Sequence, residues 1–429
     1  MRRAGGTLAW VALGGLFAAG CGNSSPVISI VGAPITVTGT VVSSLGHPVP
    51  GITVVIPSHA PVVTDASGQF VVQTVFLPYD ALVIAAETNT ATLYRGLKRS
   101  DPTLLRLLHW PHMLGSLPRG ADASGTVSGG AGYPEPALHE TLVEHRALLG
   151  DVSQTTANTT TGAYSTGPGV YWADAFSSPV VVRAVQYATG PGGLPATFTG
   201  FGEHRFSLND GAVSPMQDVA MAAVPTSSIA GTVQAPASMT IQHRAAGVAF
   251  VPLDALWWFE FSAASAFSFN VPQVSGATFA AQARGSAPTG ATTVTHQNLA
   301  LPASGLEIDL FEPPATLLPA DGADVTPGTL FSFTPVPNAV YQVAFLYPDS
   351  SGLDNLAVYV VTAQDVVPFP DLSAFGLAFP SSETYVWFVT AYGPLASVDE
   401  AAGPDALWPS AVPVRFEART NASDFTTPP

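Results

Sequence analysis

Val37-Thr38-Gly39-Thr40-Val41-Val42 decides how this chain is read. With Thr36 before it, threonine takes every second place, the period of a β-strand with two distinct faces. The triplet Gly-Thr-Val returns at Gly125-Thr126-Val127 and at Gly231-Thr232-Val233, 86 and 106 residues further on. Seven residues after Gly39 stands Gly46-His47-Pro48-Val49-Pro50-Gly51-Ile52, and seven after Gly125 stands Gly132-Tyr133-Pro134-Glu135-Pro136-Ala137-Leu138. The third copy lacks this frame but carries Gly247-Val248-Ala249-Phe250-Val251-Pro252, parallel to Gly51–Pro57 with one residue fewer. Next comes a turn feeding a strand: Thr64-Asp65-Ala66-Ser67-Gly68-Gln69-Phe70, then Thr160-Thr161-Gly162-Ala163-Tyr164, then Ala264-Ser265-Ala266-Phe267. Each copy then has an apolar strand, at 82–86, 180–185 and 278–283. Repeats of this length are domains rather than solenoid turns.

Within the first copy, strands are expected at 35–42, 52–56, 69–76, 82–86, 91–97 and 103–108, each short, β-branched or aromatic, and bounded by Gly, Pro, Asp or Ser. About seven strands per hundred residues is the density of a small β-sandwich. The composition agrees. Glycine and proline, 40 and 39 residues of 429, cut the chain into short pieces, which disfavours helical bundles. Hydrophobic residues make up 47%, enough for packed cores, and only 10% are charged. A net charge of −16 argues against nucleic acid as a partner. The single cysteine rules out an internal disulfide or a zinc cluster built of cysteines.

The frame around Gly39, Gly46-His47-Pro48-Val49-Pro50-Gly51 and Thr64-Asp65-Ala66-Ser67-Gly68-Gln69-Phe70 together resemble the carboxypeptidase-regulatory-like, or transthyretin-like, domain over about 35–115. That resemblance implies an accessory β-sandwich without catalytic groups. The second and third copies match it in part. The last hundred residues differ. Phe331-Ser332-Phe333-Thr334-Pro335 and Tyr385-Val386-Trp387-Phe388-Val389-Thr390-Ala391-Tyr392-Gly393 resemble a fibronectin type III-like sandwich, with Phe333 where a tryptophan often sits. The expected fold class is all-β, with tandem immunoglobulin-like or transthyretin-like sandwiches at 35–119, 120–225, 226–312 and 313–418 and a tail at 419–429.

The N-terminus reads as an address. Arg2 and Arg3 precede an apolar run at 8–19, and Ala18-Ala19-Gly20 places small residues directly before Cys21. Phe17-Ala18-Ala19-Gly20-Cys21 resembles a bacterial lipobox, with Ala18 where a leucine is usual. The resemblance implies cleavage of residues 1–20, a diacylglycerol on the Cys21 sulfur and, since Gly22 rather than Asp follows, the outer membrane. Residues 21–34 then serve as a lipidated tether.

Catalytic motifs are thin. In His139-Glu140-Thr141-Leu142-Val143-Glu144-His145 the histidines stand six apart rather than four, so neither a helix nor a strand lets both bind one metal. None of the nine histidines has a glutamate three residues later, as a metallocarboxypeptidase would need. His109 and His112 are too few for a structural zinc. Tyr94-Arg95-Gly96-Leu97 resembles the Tyr-Arg-Gly-Ser ending of hydroxyisourate hydrolases, with Leu97 in place of the serine. Asp321 and Asp324 read as a linker turn, and no cofactor or metal is expected. Leu256-Trp257-Trp258-Phe259-Glu260-Phe261 is the candidate binding segment: neighbours on a strand face opposite sides, so one of Trp257 and Trp258 belongs to a core and the other is available to a sugar ring or a partner pocket. The reading is a non-catalytic, membrane-anchored structural or adhesive envelope lipoprotein. Its second form is a carbohydrate- or peptide-binding accessory of an envelope machine, whose partner is an envelope protein or glycan.

Overall fold

The computed structural model describes residues 33–107, 119–150, 152–166, 169–173, 175–251, 254–347 and 356–429. The leader, Cys21, His109 and His112 lie outside the described residues. The rest is all-β. Among the described residues the one α-helix is α1 (Val398–Ala401), and none of their helices is long and apolar enough to cross a membrane.

The first unit contains β1 (Ile35–Val42), β2 (Thr53–Val55), β3 (Val62–Val63), β4 (Gln69–Val75), β5 (Tyr79–Ala85), β6 (Thr90–Leu97) and β7 (Thr103–Leu105). The second contains β8 (Arg119–Gly129), β9 (His139–Ala147), β10 (Val152–Thr156), β11 (Ala163–Ser165), β12 (Val170–Trp172), β13 (Ser177–Thr189), β14 (Pro195–Asn209), β15 (Val213–Ser214) and β16 (Val219–Met221). The third contains β17 (Thr226–Gln234), β18 (Thr240–Val251), β19 (Asp254–Glu260), β20 (Ala266–Pro272), β21 (Thr278–Ala287), β22 (Gly290–His296) and β23 (Ala303–Asp309). The fourth contains β24 (Thr316–Leu318), β25 (Ala323–Asp324), β26 (Leu330–Phe333), β27 (Val340–Leu346), β28 (Ala357–Thr362), β29 (Val366–Pro368), β30 (Thr384–Gly393), β31 (Val414–Thr420) and β32 (Ser423–Thr426).

One topology occurs three times. In each of the first three units the Gly-Thr-Val strand (β1, β8, β17) pairs antiparallel with the strand after the turn (β4, β11, β20) and parallel with the unit's closing strand (β7, β16, β23). Facing it is a four-stranded path: β3-β2-β5-β6, β10-β9-β13-β14 and β19-β18-β21-β22. The repeated glycine has a steric cause. Gly39, Gly125 and Gly231 sit opposite Phe70, Tyr164 and Phe267. A Cβ on Gly39 would come 2.3 Å from the Phe70 ring and 2.8 Å from the Pro102 carbonyl oxygen, so the ring lies over a bare backbone. The fourth unit pairs β24-β26-β29 against β28-β27-β30-β31, the two sheets of a fibronectin type III-like sandwich. Its core is aromatic: Phe331 meets Phe345 and Trp387 edge-on at 4.8 Å each. Residues 419–429, expected as a tail, are folded instead. β32 pairs with β25 and β30, and Phe425 is buried against Phe331, Phe345 and Phe369, because the apolar ring finds an unfilled place in that core.

The sandwiches follow one another in the chain but do not stand in single file. β22 of the third unit pairs antiparallel with β31 of the fourth, and β6 of the first pairs parallel with β28 of the fourth. Three four-stranded sheets thereby form one continuous sheet. Asp399 seals the first–fourth joint, accepting from the Lys98 and Arg99 amides at 2.7 and 3.0 Å, while Arg99 Nη1 donates to the Asp399 carbonyl at 2.7 Å. The first and second units join through Ser43 Oγ to the Leu148 carbonyl (2.8 Å) and Arg106 Nη2 to the Leu149 carbonyl (2.6 Å). With the second–third joint described below, the contacts close a cycle of four sandwiches.

Gly39→Ala is expected to lower stability by about 1–3 kcal/mol, the usual cost of forcing atoms into a packed core. Urea unfolding checks this. Gly46→Ala, whose site has no atom near the added methyl, is the comparison for backbone strain alone.

Candidate functional site

The sequence-selected residues fall into distinct places. Trp258 is 6% exposed and packs edge-on against Phe198 of the second unit at 5.0 Å. Trp257 faces the other side and is half-buried. A Cβ on its cross-strand partner Gly247 would come 2.7 Å from the indole, so the ring lies flat across β18 only because that position has no side chain. His139 and His145 share β9, six residues apart, and do not converge. His145 is 1% exposed with neither ring nitrogen bonded, and burial pushes its pKa down to about 4. Tyr94 is a core residue whose hydroxyl accepts from the Leu105 amide, and Arg95 lies 3.7 Å from Asp80. Asp321 and Asp324 accept from the Asp424 amide (2.7 Å) and the Thr426 hydroxyl (2.5 Å), pinning β32. Among the described residues no group of three or more His, Cys, Asp or Glu could hold a metal ion. A cleft of about 290 Å³ opens in the fourth unit beside Phe369 and Phe379; its Asp371 is engaged by Ser373, whose hydroxyl and amide hold the carboxyl below its usual pKa.

One network of buried charges is committed to a joint. Arg183 on β13 donates from Nη1 and Nη2 to the two oxygens of Asp254 at 2.6 and 2.5 Å, and from Nε to Glu203 at 2.7 Å. Its guanidinium lies 3.9 Å from the centre of the Phe250 ring. Arg146 on β9 bonds Glu144 at 2.7 Å, approaches Asp254 at 3.1 Å, and donates to the Ala255 carbonyl at 2.8 Å. Phe250, Asp254 and Ala255 belong to the third unit and the other members to the second. The network is thus the bolt between two sandwiches, satisfied donor by donor as buried ions require.

A cluster of accessible groups lies elsewhere, on the face of the continuous sheet that carries Trp257. Directly paired residues share a face, so the register traces it. Ala245 pairs with Phe259 and Gln282, His243 with Arg284, Arg284 with Thr293, Thr293 with Glu417, and Glu417 with Tyr392. Phe259 and Phe261 are 40% and 78% exposed, with ring centres 6.1 Å apart and planes nearly parallel at 22°. His243 meets both edge-on, at 5.2 and 5.6 Å. Burial, then the Arg284 charge, lowers the His243 pKa. Beyond Arg284 lie Arg415, Glu417 and Arg419 on alternate positions of β31. The Arg419 guanidinium stacks 3.6 Å above the Phe388 ring. Desolvation raises the Glu417 pKa, against the pull of Arg284, Arg419 and Arg415. Sequence reasoning reached Trp257 but not the arginines. The period-two spacing of Arg415, Glu417 and Arg419 was the available signal.

No family model matches the chain, and neither does any curated protein. Among solved structures it is similar to the Bacillus anthracis TIE protein (8% identity, 65% of this chain and 50% of that one, TM-score 0.17). It is also similar to a putative adhesin from Bacteroides ovatus (10%, 46% and 93%, TM-score 0.17) and to the chicken CNTN1 FN1-FN3 domains (9%, 72% and 99%, TM-score 0.18). The chain thus spans half the length of the TIE protein. At these identities and scores the likenesses carry no functional weight.

Two outcomes are expected. Asp254→Ala strands Arg183 without its bidentate partner and should cost about 3–5 kcal/mol, read by denaturant unfolding. The buried neutral His145 has a folded pKa below its unfolded value near 6.5. Its stabilising contribution is therefore complete above pH 6.5 and is lost as pH falls from there through about 4. The loss amounts to about 3 kcal/mol at ~1.4 kcal/mol per pKa unit. Stability measured from pH 7 to 4 should fall by that much more in the native chain than in His145→Gln.

Proposed function

We propose that this chain is a non-catalytic, adhesive cell-envelope protein, anchored through a lipid on Cys21 and presenting a rigid array of β-sandwiches. The observation that supports it best is the division of labour among polar side chains. The Arg183–Asp254 ions are buried in a joint between sandwiches, whereas the exposed Phe259 and Phe261 share one sheet face with Arg284 and Arg419. A surface-binding protein needs rigidity and an exposed face. A catalyst needs titratable groups that converge on one reacting atom.

The anchor reading draws on the n-region, the apolar run and the small residues before Cys21. Several acyl chains on one protein hold it stably to a bilayer. The outer membrane is the proposed location, with the sandwiches facing the periplasm or the outside. A second reading, a carbohydrate- or peptide-binding accessory of an envelope machine, is favoured by the exposed Phe259 and Phe261 beside Trp257.

Cys21→Ser is expected to move the protein from the membrane pellet to the soluble fraction and to abolish palmitate labelling. A variant that still pellets and still labels overturns the anchor. Cells carrying the native chain should adhere to glycan- or protein-coated surfaces at least several-fold better than cells lacking it, and equal adhesion overturns the adhesive role.

A further inference from the structure

We propose that the sheet face running from β19 to β31 is a binding site for a carboxylate-bearing polysaccharide. Trp257, Phe259 and Phe261 form its stacking platform, and Arg284 and Arg419 its carboxylate-recognising pair. The inference rests on the binding role proposed above and names the ligand class of that face.

The aromatic half has the form of a platform. Phe259 and Phe261 present nearly parallel rings at the surface, braced from the side by His243. Trp257 is held flat by the missing side chain at Gly247. Flat, exposed, braced rings are suited to the apolar C–H faces of sugar rings, and large rigid aromatics bind at small entropic cost. Packing inside the protein does not account for Phe261, since 78% of it remains in water.

The cationic half is set apart in an acidic molecule. The chain has a net charge of −16, yet here three arginines surround one glutamate. Arg95, Arg99, Arg119, Arg205 and Arg244 each lie within 4 Å of a carboxylate, a contact that Arg284 and Arg419 do not make among the described residues. Arg284 Nε is held by Gln242 at 3.2 Å, which orients the guanidinium and leaves its terminal nitrogens for a ligand. Arg419 is stacked on Phe388, an arrangement that uses the face of the guanidinium and leaves its in-plane donors free. A planar fork of this kind matches a carboxylate through two parallel hydrogen bonds.

Geometry selects the ligand. Two strand spacings, about 10 Å, separate β19 from β21, and two more separate β21 from β31. An extended chain crossing the strands meets rings first and guanidiniums next. Backbone groups across β18, β21 and β22 are already used in ladders, so the ligand is gripped by side chains alone. An extended peptide would instead seek an open strand edge for its own backbone. A nucleic acid, with one charge per ~1.7 Å, meets too few cations here.

Calorimetry on the full chain with polygalacturonate, its methyl ester and poly-L-glutamate tests the proposal. Polygalacturonate should bind at least tenfold tighter than the ester. The pair Arg284→Gln/Arg419→Gln should erase that preference, and Phe259→Ala/Phe261→Ala should weaken binding to both saccharides at least tenfold. Circular dichroism of these surface variants should match the native chain. Poly-L-glutamate bound as tightly as polygalacturonate and insensitive to the phenylalanine changes would show an acidic-peptide site and overturn the proposal. So would the absence of polygalacturonate binding by the folded native chain. Cell adhesion separates the two readings. Adhesion that survives both double variants overturns this site and leaves the adhesive role. Polygalacturonate binding by a chain that confers no adhesion overturns the adhesive role and leaves the site.

Discussion

The parallel pairing of β6 with β28 is the contact on which the arrangement depends. Neighbouring sandwiches meet readily because a short connection holds them together. The first and fourth units are far apart in the chain, and bringing them together costs loop-closure entropy that must be offset at the joint. Five paired positions, Ala357↔Thr90 to Val361↔Tyr94, and the Asp399 cap provide that contact. The pairing also resolves a liability. The β6 and β28 edges would otherwise each offer unpaired amides and carbonyls to any passing strand. Joined to each other, they are removed from solvent, as are the β22 and β31 edges.

That closure determines where polarity can go. Once the second unit is held between the first and the third, the region around Asp254 is dry. A charge there must be matched within hydrogen-bond distance. Arg183 does so in bidentate fashion, and Arg146 and Glu144 complete the network. An apolar joint of equal volume could hold as tightly, because burying ions costs nearly as much as their attraction returns. What the ionic joint adds is register. Asp254 accepts both guanidinium donors in one relative placement of the two units only.

Much of the fold was legible in the sequence, for physical reasons. Alternation and turn residues are local signals, and the thrice-repeated glycine marks a place where packed neighbours leave no room for a Cβ: the Phe70 ring at Gly39, the Gln217 main chain at Gly125 and Leu306 at Gly231. The fusion of three sheets left no such mark. Edge pairing uses main-chain groups that every residue has, so β22–β31 and β6–β28 leave no pattern in the side chains. The proposed binding face was obscured in consequence. Trp257 could be reached from strand alternation, whereas Arg284 and Arg419 become neighbours only through the β22–β31 ladder. The final strand was missed for a related reason: one apolar residue, Phe425, in a polar stretch gives no period, and only the aromatic core of the fourth unit assigns it a place.

The fused sheet also makes the face possible at all. A lone sandwich of this size offers four strands, about 15 Å across at ~4.8 Å per spacing. Joining β22 to β31 preserves parity across the seam: Val294 meets Phe416 on the core side, and Thr293 meets Glu417 on the other. Had the register slipped by one residue, Arg415, Glu417 and Arg419 would have turned into the core and Phe416 and Ala418 into solvent. The hydrophobic cores on the far side therefore hold the arginines in line with the aromatic row. Packing on one face of the seam thus secures recognition on the other, and a substitution such as Phe416→Ala would loosen the alignment without touching a residue that meets the ligand.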